Sequence, residues 1–423
     1  MRLFSFIHAA DIHLDSPLIR LERYEGAPVE ELRQATRRAL ENLVGLAIAE
    51  EVAFVLIAGD LYDGDWKDYN TGLYFTSQMT KLREAGIPVF IISGNHDAAN
   101  KITKALRPPE TVHFFSTDKP ETFNLDDIGV AIHGQGFARQ AIYKDLSASY
   151  PSAMPGYFNI GMLHTCATGR EGHESYAPCK IDGLLSKGYQ YWALGHVHQQ
   201  EVISEDPMIV FPGNIQGRHI REAGPKGCML VTVDDSGVAS ADFRPLDVIR
   251  WLSCDVDASG AASGYDVVDR IYERLEDHLQ QSDDVPLVVR IEVSGTCRAH
   301  DELMADPERW RNEIRSAAID LGGGRVWIEK VNVLTKLLSQ SEAGKLAEGP
   351  VGELVSLLDE IRSDPGRLQK LGESLDDLLK KLPREVKHPH DGTALEESEW
   401  LAKMLDGVRP LLLGRLMSKG SGG

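Results

Sequence analysis

At about 150 residues per domain, the 423-residue chain has length for two or three domains, each large enough to bury a core. Apolar residues make up 42% and charged residues 26%, and no window approaches the roughly 20 uninterrupted apolar residues of a membrane span, which excludes disordered, collagenous and integral membrane classes. Asp plus Glu outnumber Lys plus Arg by 64 to 45, and the net charge of −19 argues against broad attraction to nucleic acid while leaving room for a local, cation-carrying site.

The sequence opens on MRLFSFIHAADIH, a run of strand length followed at once by a polar motif, so a cleaved signal peptide is not expected. Cys166, Cys179, Cys228, Cys254 and Cys297 are odd in number and lack CxxC spacing, which indicates neither a disulfide framework nor a zinc ribbon; a cytoplasmic location is expected. Up to about residue 235, short apolar runs alternate with helix-period stretches, the pattern of sheets flanked by helices. The runs lie at 3–7, 53–57, 89–92, 130–132, 160–163, 191–194, 209–211 and 229–233, giving at least eight strands. Between the first two, residues 29–51 carry Leu32, Leu40, Leu43, Leu46 and Ala47 as an apolar stripe on a charged helix.

A second region opens near Ile249. It reads as a strand at 251–256, a helix with Val268, Ile271, Leu275 and Leu279 on one face, and a strand alternating Leu287, Val289, Ile291 and Val293. A helix with Trp310, Ile314, Ala317 and Leu321 and a strand at 326–331 complete a βαβαβ order, that of a small α+β domain. From about Ser341 the chain turns helical and leucine-rich, with breaks at Asp364-Pro365-Gly366 and at His388-Pro389-His390-Asp391-Gly392. Leu368, Leu371, Leu375, Leu378 and Leu382 alternate three-four, a stripe that either packs on neighbouring helices or meets a partner. The expected domains are 1–245, 246–340 and 341–423.

Five motifs each follow an apolar run: Asp11-Ile12-His13, Gly59-Asp60-Leu61-Tyr62-Asp63, Gly94-Asn95-His96-Asp97, His164, and Gly195-His196-Val197-His198. In an α/β sheet the carboxyl ends of strands converge on one crevice, so residues distant in sequence meet there. The Asp, His and Asn side chains form a mixed oxygen and nitrogen donor set, suited to borderline divalent metals and too large for one ion. Two ions are expected, with Asp60 free to bridge them. His8, His113, His133, His173, His278, His300, His388 and His390 have no such company and read as structural or solvated.

The set DxH, GDxxD, GNHD, H and GHxH resembles the calcineurin-like metallophosphoesterases. Within them, AADIHLDSPL, GDLYD, GHVHQQ and FPGNIQGRHIREAGPKGC are similar to the bacterial YhaO-type DNA exonucleases, relatives of the SbcD nuclease subunit. The resemblance covers residue 3 to about 235. It implies an α/β fold: a layered β-sheet core flanked by helices, then a small α+β capping domain and a helical C-terminal tail. One metal would be held by Asp11, His13, Asp60 and His198 and the other by Asp60, Asn95, His164 and His196, with Mn2+ the expected ion. His96 would stand over the leaving group as general acid or transition-state stabiliser, oriented by Asp63.

The implied activity is two-metal DNA exonuclease or phosphodiesterase chemistry in DNA repair. The resemblance also implies an SMC-like coiled-coil ATPase as partner, on a separate chain because no GxxxxGK[ST] occurs in this one. A homodimer is compatible with it. Arg218, His219 and Arg221, after the PGN turn, are candidate contacts to the substrate backbone. A metallophosphatase acting on phosphoproteins or small phosphate esters stays open, since the same ligands serve whichever alcohol leaves. A scaffold with vestigial hydrolysis is disfavoured by the intact donor set.

Overall fold

The computed structural model describes residues 3–16, 29–63, 69–99, 108–167, 177–235, 237–337 and 350–381, with isolated positions between 401 and 412. It comprises two compact units, Met1–Ser253 with Ser282–Val289, and Cys254–Gln281 with Arg290–Gly423.

The first unit runs β1 (Phe4–Ala9), α1 (Val29–Ala49), β2 (Phe54–Ala58), α2 (Tyr69–Glu84), β3 (Val89–Ile92), β4 (Val112–Phe114), β5 (Glu121–Leu125) and β6 (Val130–Gly134). It continues with β7 (Phe158–His164), α3 (Ile181–Leu185), β8 (Tyr191–Gly195), β9 (Glu201–Glu205), β10 (Met208–Phe211), β11 (Gly227–Asp234) and β12 (Gly237–Pro245). These strands form two six-stranded sheets, ordered β12-β11-β1-β2-β3-β4 and β5-β6-β7-β8-β10-β9. Each apolar run read from the sequence is a strand. The four further strands, β4, β5, β9 and β12, lack a continuous apolar run; β5 and β9 alternate half-buried with exposed residues at a sheet edge.

Side-chain alternation explains the layering, because successive residues of a strand face opposite sides. Phe6, Phe54, Leu56 and Phe90 of one sheet share a core with Phe158, Ile160, Tyr191 and Val210 of the other. The Phe6 and Phe54 rings stack at 4.9 Å, and Tyr191 meets Phe6 edge-on at 5.1 Å. The opposite face of the first sheet, with Ile7, Val55, Ile57 and Val89, packs on Leu40, Leu43 and Ala47 of α1 and on Phe75 and Met79 of α2. Leu46 joins that contact partly buried, whereas the side chain of Leu32 lies outside the described residues. Trp192, Leu194 and Phe211 cover the outer face of the second sheet together with Tyr150, Leu184 and Tyr189. The result is two stacked sheets with helices outside them.

Beyond β12 the chain forms a three-stranded sheet of β13 (Arg250–Asp257), β14 (Leu287–Ser294) and β16 (Val326–Val333), most of which belongs to the second unit. The short strands β15 (Thr296–Cys297) and β17 (Lys336–Leu337) pair beside it in parallel. Its helices are α4 (Gly264–Gln280), α5 (His300–Ala305) and α6 (Pro307–Gly322). Ser263 and Asp266 exchange side-chain and backbone hydrogen bonds at the start of α4, a reciprocal cap that defines where the helix begins. On α6, Ala318 is the buried residue and Ala317 only partly so, since the i+4 position from Ile314 faces inward. Beyond these, α7 (Pro350–Ser363) and α8 (Pro365–Lys381) are separated by Asp364, whose Oδ1 accepts from Gly366 N at 2.8 Å. Leu368 packs with Leu401 and Leu405. The side chains of Leu375, Leu378 and Leu382 lie outside the described residues. Among the described residues, no helix is long and apolar enough to cross a membrane.

His8 faces the shared core and is fully buried. Its Nδ1 accepts from the Tyr191 hydroxyl at 3.0 Å and its Nε2 donates to Leu194 O at 3.1 Å, a neutral tautomer with both nitrogens satisfied. Burial lowers its pKa from 6.5 to about 3. Protonation therefore favours the unfolded chain, so the stability of neutral His8 is complete above pH 6.5 and is lost as pH falls toward 3, by ~1.4 kcal/mol per pH unit. His8→Gln should flatten the acid limb of a pH series of urea unfolding by about one proton; identical slopes in the two proteins would show that His8 does not contribute to it.

Candidate active site

Asp11 and His13 follow β1, Asp60 and Asp63 follow β2, and Asn95, His96 and Asp97 follow β3. His164 ends β7, and His196 and His198 follow β8. Within each sheet these strands pair in parallel, so their carboxyl ends point the same way. The backbone turns sharply there: Asp11 (φ 51°), His13 (φ 46°), Asp60 (φ 52°) and His196 (φ 102°) occupy the left-handed region that ordinary residues avoid. Asp11 N donates to Gly59 O and His13 N to Asp60 O, both at 3.0 Å, which locks the two loops together. Approach is close enough that a Cβ on Gly94 would overlap the Asp60 carboxylate, and one on Gly195 would overlap the Ala58 carbonyl.

The donor atoms fall into groups: Asp11, His13 and His198; Asp60, His164 and His196; and His13, Asp60 and His96, all within 4.8 Å of one another in each. His13 Nε2 faces His198 Nε2 at 3.3 Å, and Asn95 Oδ1 lies 2.9 Å from His164 Nε2. Asp60 Oδ2 is 3.4 Å from His164 Nε2 and 3.9 Å from His13 Nε2, so this carboxylate stands between the first two groups. His164 Nδ1 donates to Ala58 O at 2.9 Å and His198 Nδ1 to Glu222 Oε1 at 2.7 Å, which leaves both Nε2 lone pairs aimed inward.

Electrostatics agree with that donor set. Burial raises the pKa of Asp11 and lowers that of His13 to about 3. Burial works to raise Asp60 as well, yet the His164 imidazole beside it holds the carboxyl well below its usual range. His164 reaches about 9 because Asp60 outweighs its desolvation. Without a cation, protonated His164 offsets the buried Asp60 carboxylate; a divalent cation would displace that proton and take the carboxylates and the freed Nε2 lone pair as donors.

Residues 4–200 match the calcineurin-like phosphoesterase family, and residues 251–336 match the middle domain of metallophosphoesterase YhaO. Over 319 residues the chain is 34% identical to the uncharacterized metallophosphoesterase YhaO of Bacillus subtilis, covering 74% of this chain and 76% of that protein. The chain belongs to the calcineurin-like metallophosphoesterases. Two proteins named as DNA double-strand break repair protein Mre11 are also similar: that of Methanopyrus kandleri, 25% identical over 81% of this chain and 73% of its own length, and that of Sulfurisphaera tokodaii, 28% identical over 47% and 50%. Members of the family use divalent metals, in keeping with the donor groups of this metallophosphoesterase.

Beside those groups, His96 Nδ1 lies 2.7 Å from Asp63 Oδ1, a hydrogen bond that raises the imidazole pKa. Asp63 also accepts from Ser16 Oγ at 2.6 Å. Burial works to raise the Asp63 pKa, but the imidazoles of His13 and His96 hold it well below the usual carboxylate range. Of the three candidate substrate contacts, His219 and Arg221 are exposed, whereas Arg218 turns inward onto Glu222 and Asp63.

Two acids not singled out from the sequence support the site. Glu222 is buried beneath His198. Asp97 accepts from Leu61 N at 3.2 Å, Tyr62 N at 2.9 Å and Gly94 N at 2.9 Å, stitching the loop after β2 to the loop after β3. Burial raises its pKa to about 6. The fourth position of GNHD was a visible signal for Asp97; for Glu222, in an ordinary charged stretch, there was none. Asp97→Ala strands three buried amides and should lower stability by about 1–3 kcal/mol in urea unfolding; an unchanged midpoint would mean that those amides find other acceptors.

Proposed function

We propose that this metallophosphoesterase is a two-metal DNA exonuclease or phosphodiesterase acting in DNA repair. The observation that carries the reading is the convergence of two donor groups on Asp60 with His96 beside them. The repair role named for the Mre11 relatives supports DNA over other phosphate esters. One ion is assigned to Asp11, His13, Asp60 and His198 and the other to Asp60, Asn95, His164 and His196, with Mn2+ the ion expected from the resemblance to the family. Divalent ions bound there would neutralise phosphate oxygens and acidify a coordinated water.

The remaining steps belong to side chains. Asp63 occupies His96 Nδ1 at 2.7 Å, so Nε2 is the nitrogen that delivers a proton, or a hydrogen bond, to the departing oxygen. The exposed His219 and Arg221 would meet the DNA backbone, a contact that positions without reading sequence. Residues 246–340 would form a small α+β domain of their own and the helical residues 341–423 would dock a separate SMC-like ATPase, with the complex working in the cytoplasm.

With Mn2+, the purified protein should degrade labelled single- or double-stranded DNA faster than a generic phosphomonoester; the reverse preference would make it a phosphatase. Elemental analysis of that preparation should find about two Mn2+ per chain. His96→Ala should keep this stoichiometry while turnover falls by about 10² or more, and loss of metal in that variant would make His96 a ligand instead. Deleting residues 341–423 should spare the Mn2+-dependent activity and abolish co-purification with the ATPase; retained binding would move the interface elsewhere.

A further inference from the structure

Arg218 lies at the centre of an arrangement that its position in the sequence does not suggest. Its side chain is only 14% exposed. Nη2 donates to Glu222 Oε1 at 2.8 Å and Nε to Glu222 Oε2 at 3.3 Å, a two-pronged contact with one carboxylate. Nη1 lies 3.5 Å from Asp63 Oδ2, on a second carboxylate. Each of these acids holds the Nδ1 of a different histidine: Glu222 that of His198 and Asp63 that of His96, both at 2.7 Å. Arg218 Nη2 and His198 Nδ1 are themselves 3.2 Å apart because both donate to the same Glu222 oxygen.

We propose that Arg218 is a positioning residue that bridges Glu222 and Asp63, so that one guanidinium sets the orientation of both His198 and His96. The inference rests on the metal and proton-donor roles proposed above for those two histidines. Three features carry it. Glu222 is 4% exposed and anchored on its other oxygen by Arg218 N at 2.7 Å and Asn214 Nδ2 at 3.0 Å, so it cannot swing to follow a mobile histidine. Asp63 is likewise held on Oδ2, the oxygen nearest Arg218, by Ser16 Oγ at 2.6 Å, which leaves Oδ1 for His96. A planar fork spans two such fixed acids, where a lysine ammonium is a single point charge that cannot reproduce both contacts. A guanidinium committed in this way is not available to clamp a phosphate, which removes Arg218 from the set of DNA-backbone contacts and leaves His219 and Arg221.

The test uses the full-length chain and its Arg218→Ala, Arg218→Lys and Glu222→Gln variants, with Mn2+ titrated calorimetrically and kcat, KM and the pH profile measured on DNA at saturating Mn2+. The wild type should bind two ions. Arg218→Ala and Glu222→Gln should each weaken one of the two sites about tenfold or more and leave the other unchanged. Arg218→Ala should also lower kcat and displace the pH limb that reports His96, with KM altered less than twofold, while Glu222→Gln leaves that limb in place. Arg218→Lys, which keeps the charge, should fail to restore either property, and the Mn2+ site left unchanged in every variant reports that the fold is intact. The bridge is overturned if Arg218→Ala raises KM tenfold with both Mn2+ sites intact, the result for a substrate clamp, or if Arg218→Lys restores wild-type behaviour, which would reduce Arg218 to charge balance. A wild type that binds no more than one ion would instead defeat the reading of the metal centre on which the bridge depends.

Discussion

Asp60, on the loop leaving β2 of one sheet, and His164, the last residue of β7 in the other, approach to 3.4 Å, and the rest of the site is arranged around that seam. The approach needs the sheets to stack in one relation, and the interleaved Phe6, Phe54, Phe158 and Tyr191 rings supply it. It also needs backbone to reach into space that a side chain would fill, hence glycine at 94 and 195. A one-residue slip of β2 against β1 would turn Phe54 and Leu56 out of the shared core and carry Asp60 away from His164. Core packing and donor geometry are therefore one constraint.

The second consequence is electrostatic. Asp11, Asp60, Asp97 and Glu222 are all buried within this one end of the sandwich, and Asp63 is mostly so. In a chain of net charge −19, such a concentration would repel a polyanion and strain its own fold. Hydrogen bonds absorb part of the cost: Asp97 takes three amides and Glu222 takes Arg218, Asn214 and His198. Asp11 accepts from His196 N at 2.9 Å and Asp60 from His96 N at 2.9 Å, and both otherwise face histidine rings, so they are the acids a cation would neutralise.

The strands that carry motifs were legible because they are buried on both faces and read as unbroken apolar runs. β5, with the sequence ETFNL, and β9, with EVISE, lie at an edge and bury one side at most, so hydropathy alone could not separate them from loops. The motif residues were legible for a related reason: a polar side chain immediately after a buried strand has no packing role to explain it. Glu222 ends a short turn in a mixed-charge stretch and carries no signal of its own, and Arg218, four residues before it, reads as a substrate contact and not as the partner of a buried acid. Their significance comes from a contact with His198, twenty or more positions upstream, that only the tertiary fold creates.

Left-handed backbone at Asp11, His13 and Asp60 is the point where local preference and global structure disagree. Glycine would relieve the strain at any of the three, at the loss of a donor atom, and each non-glycine residue held there costs about 1–3 kcal/mol. The loops tolerate this because Asp11 N and His13 N are each hydrogen-bonded to the neighbouring loop after β2, so relaxing one turn would break the other. Strain of this kind fixes the donors before any ion arrives, which lowers the ordering cost of binding. Any ion that binds the folded site and not the unfolded chain then stabilises the fold by mass action. The strained turns that weaken the metal-free protein are, by this linkage, the same ones through which metal strengthens it.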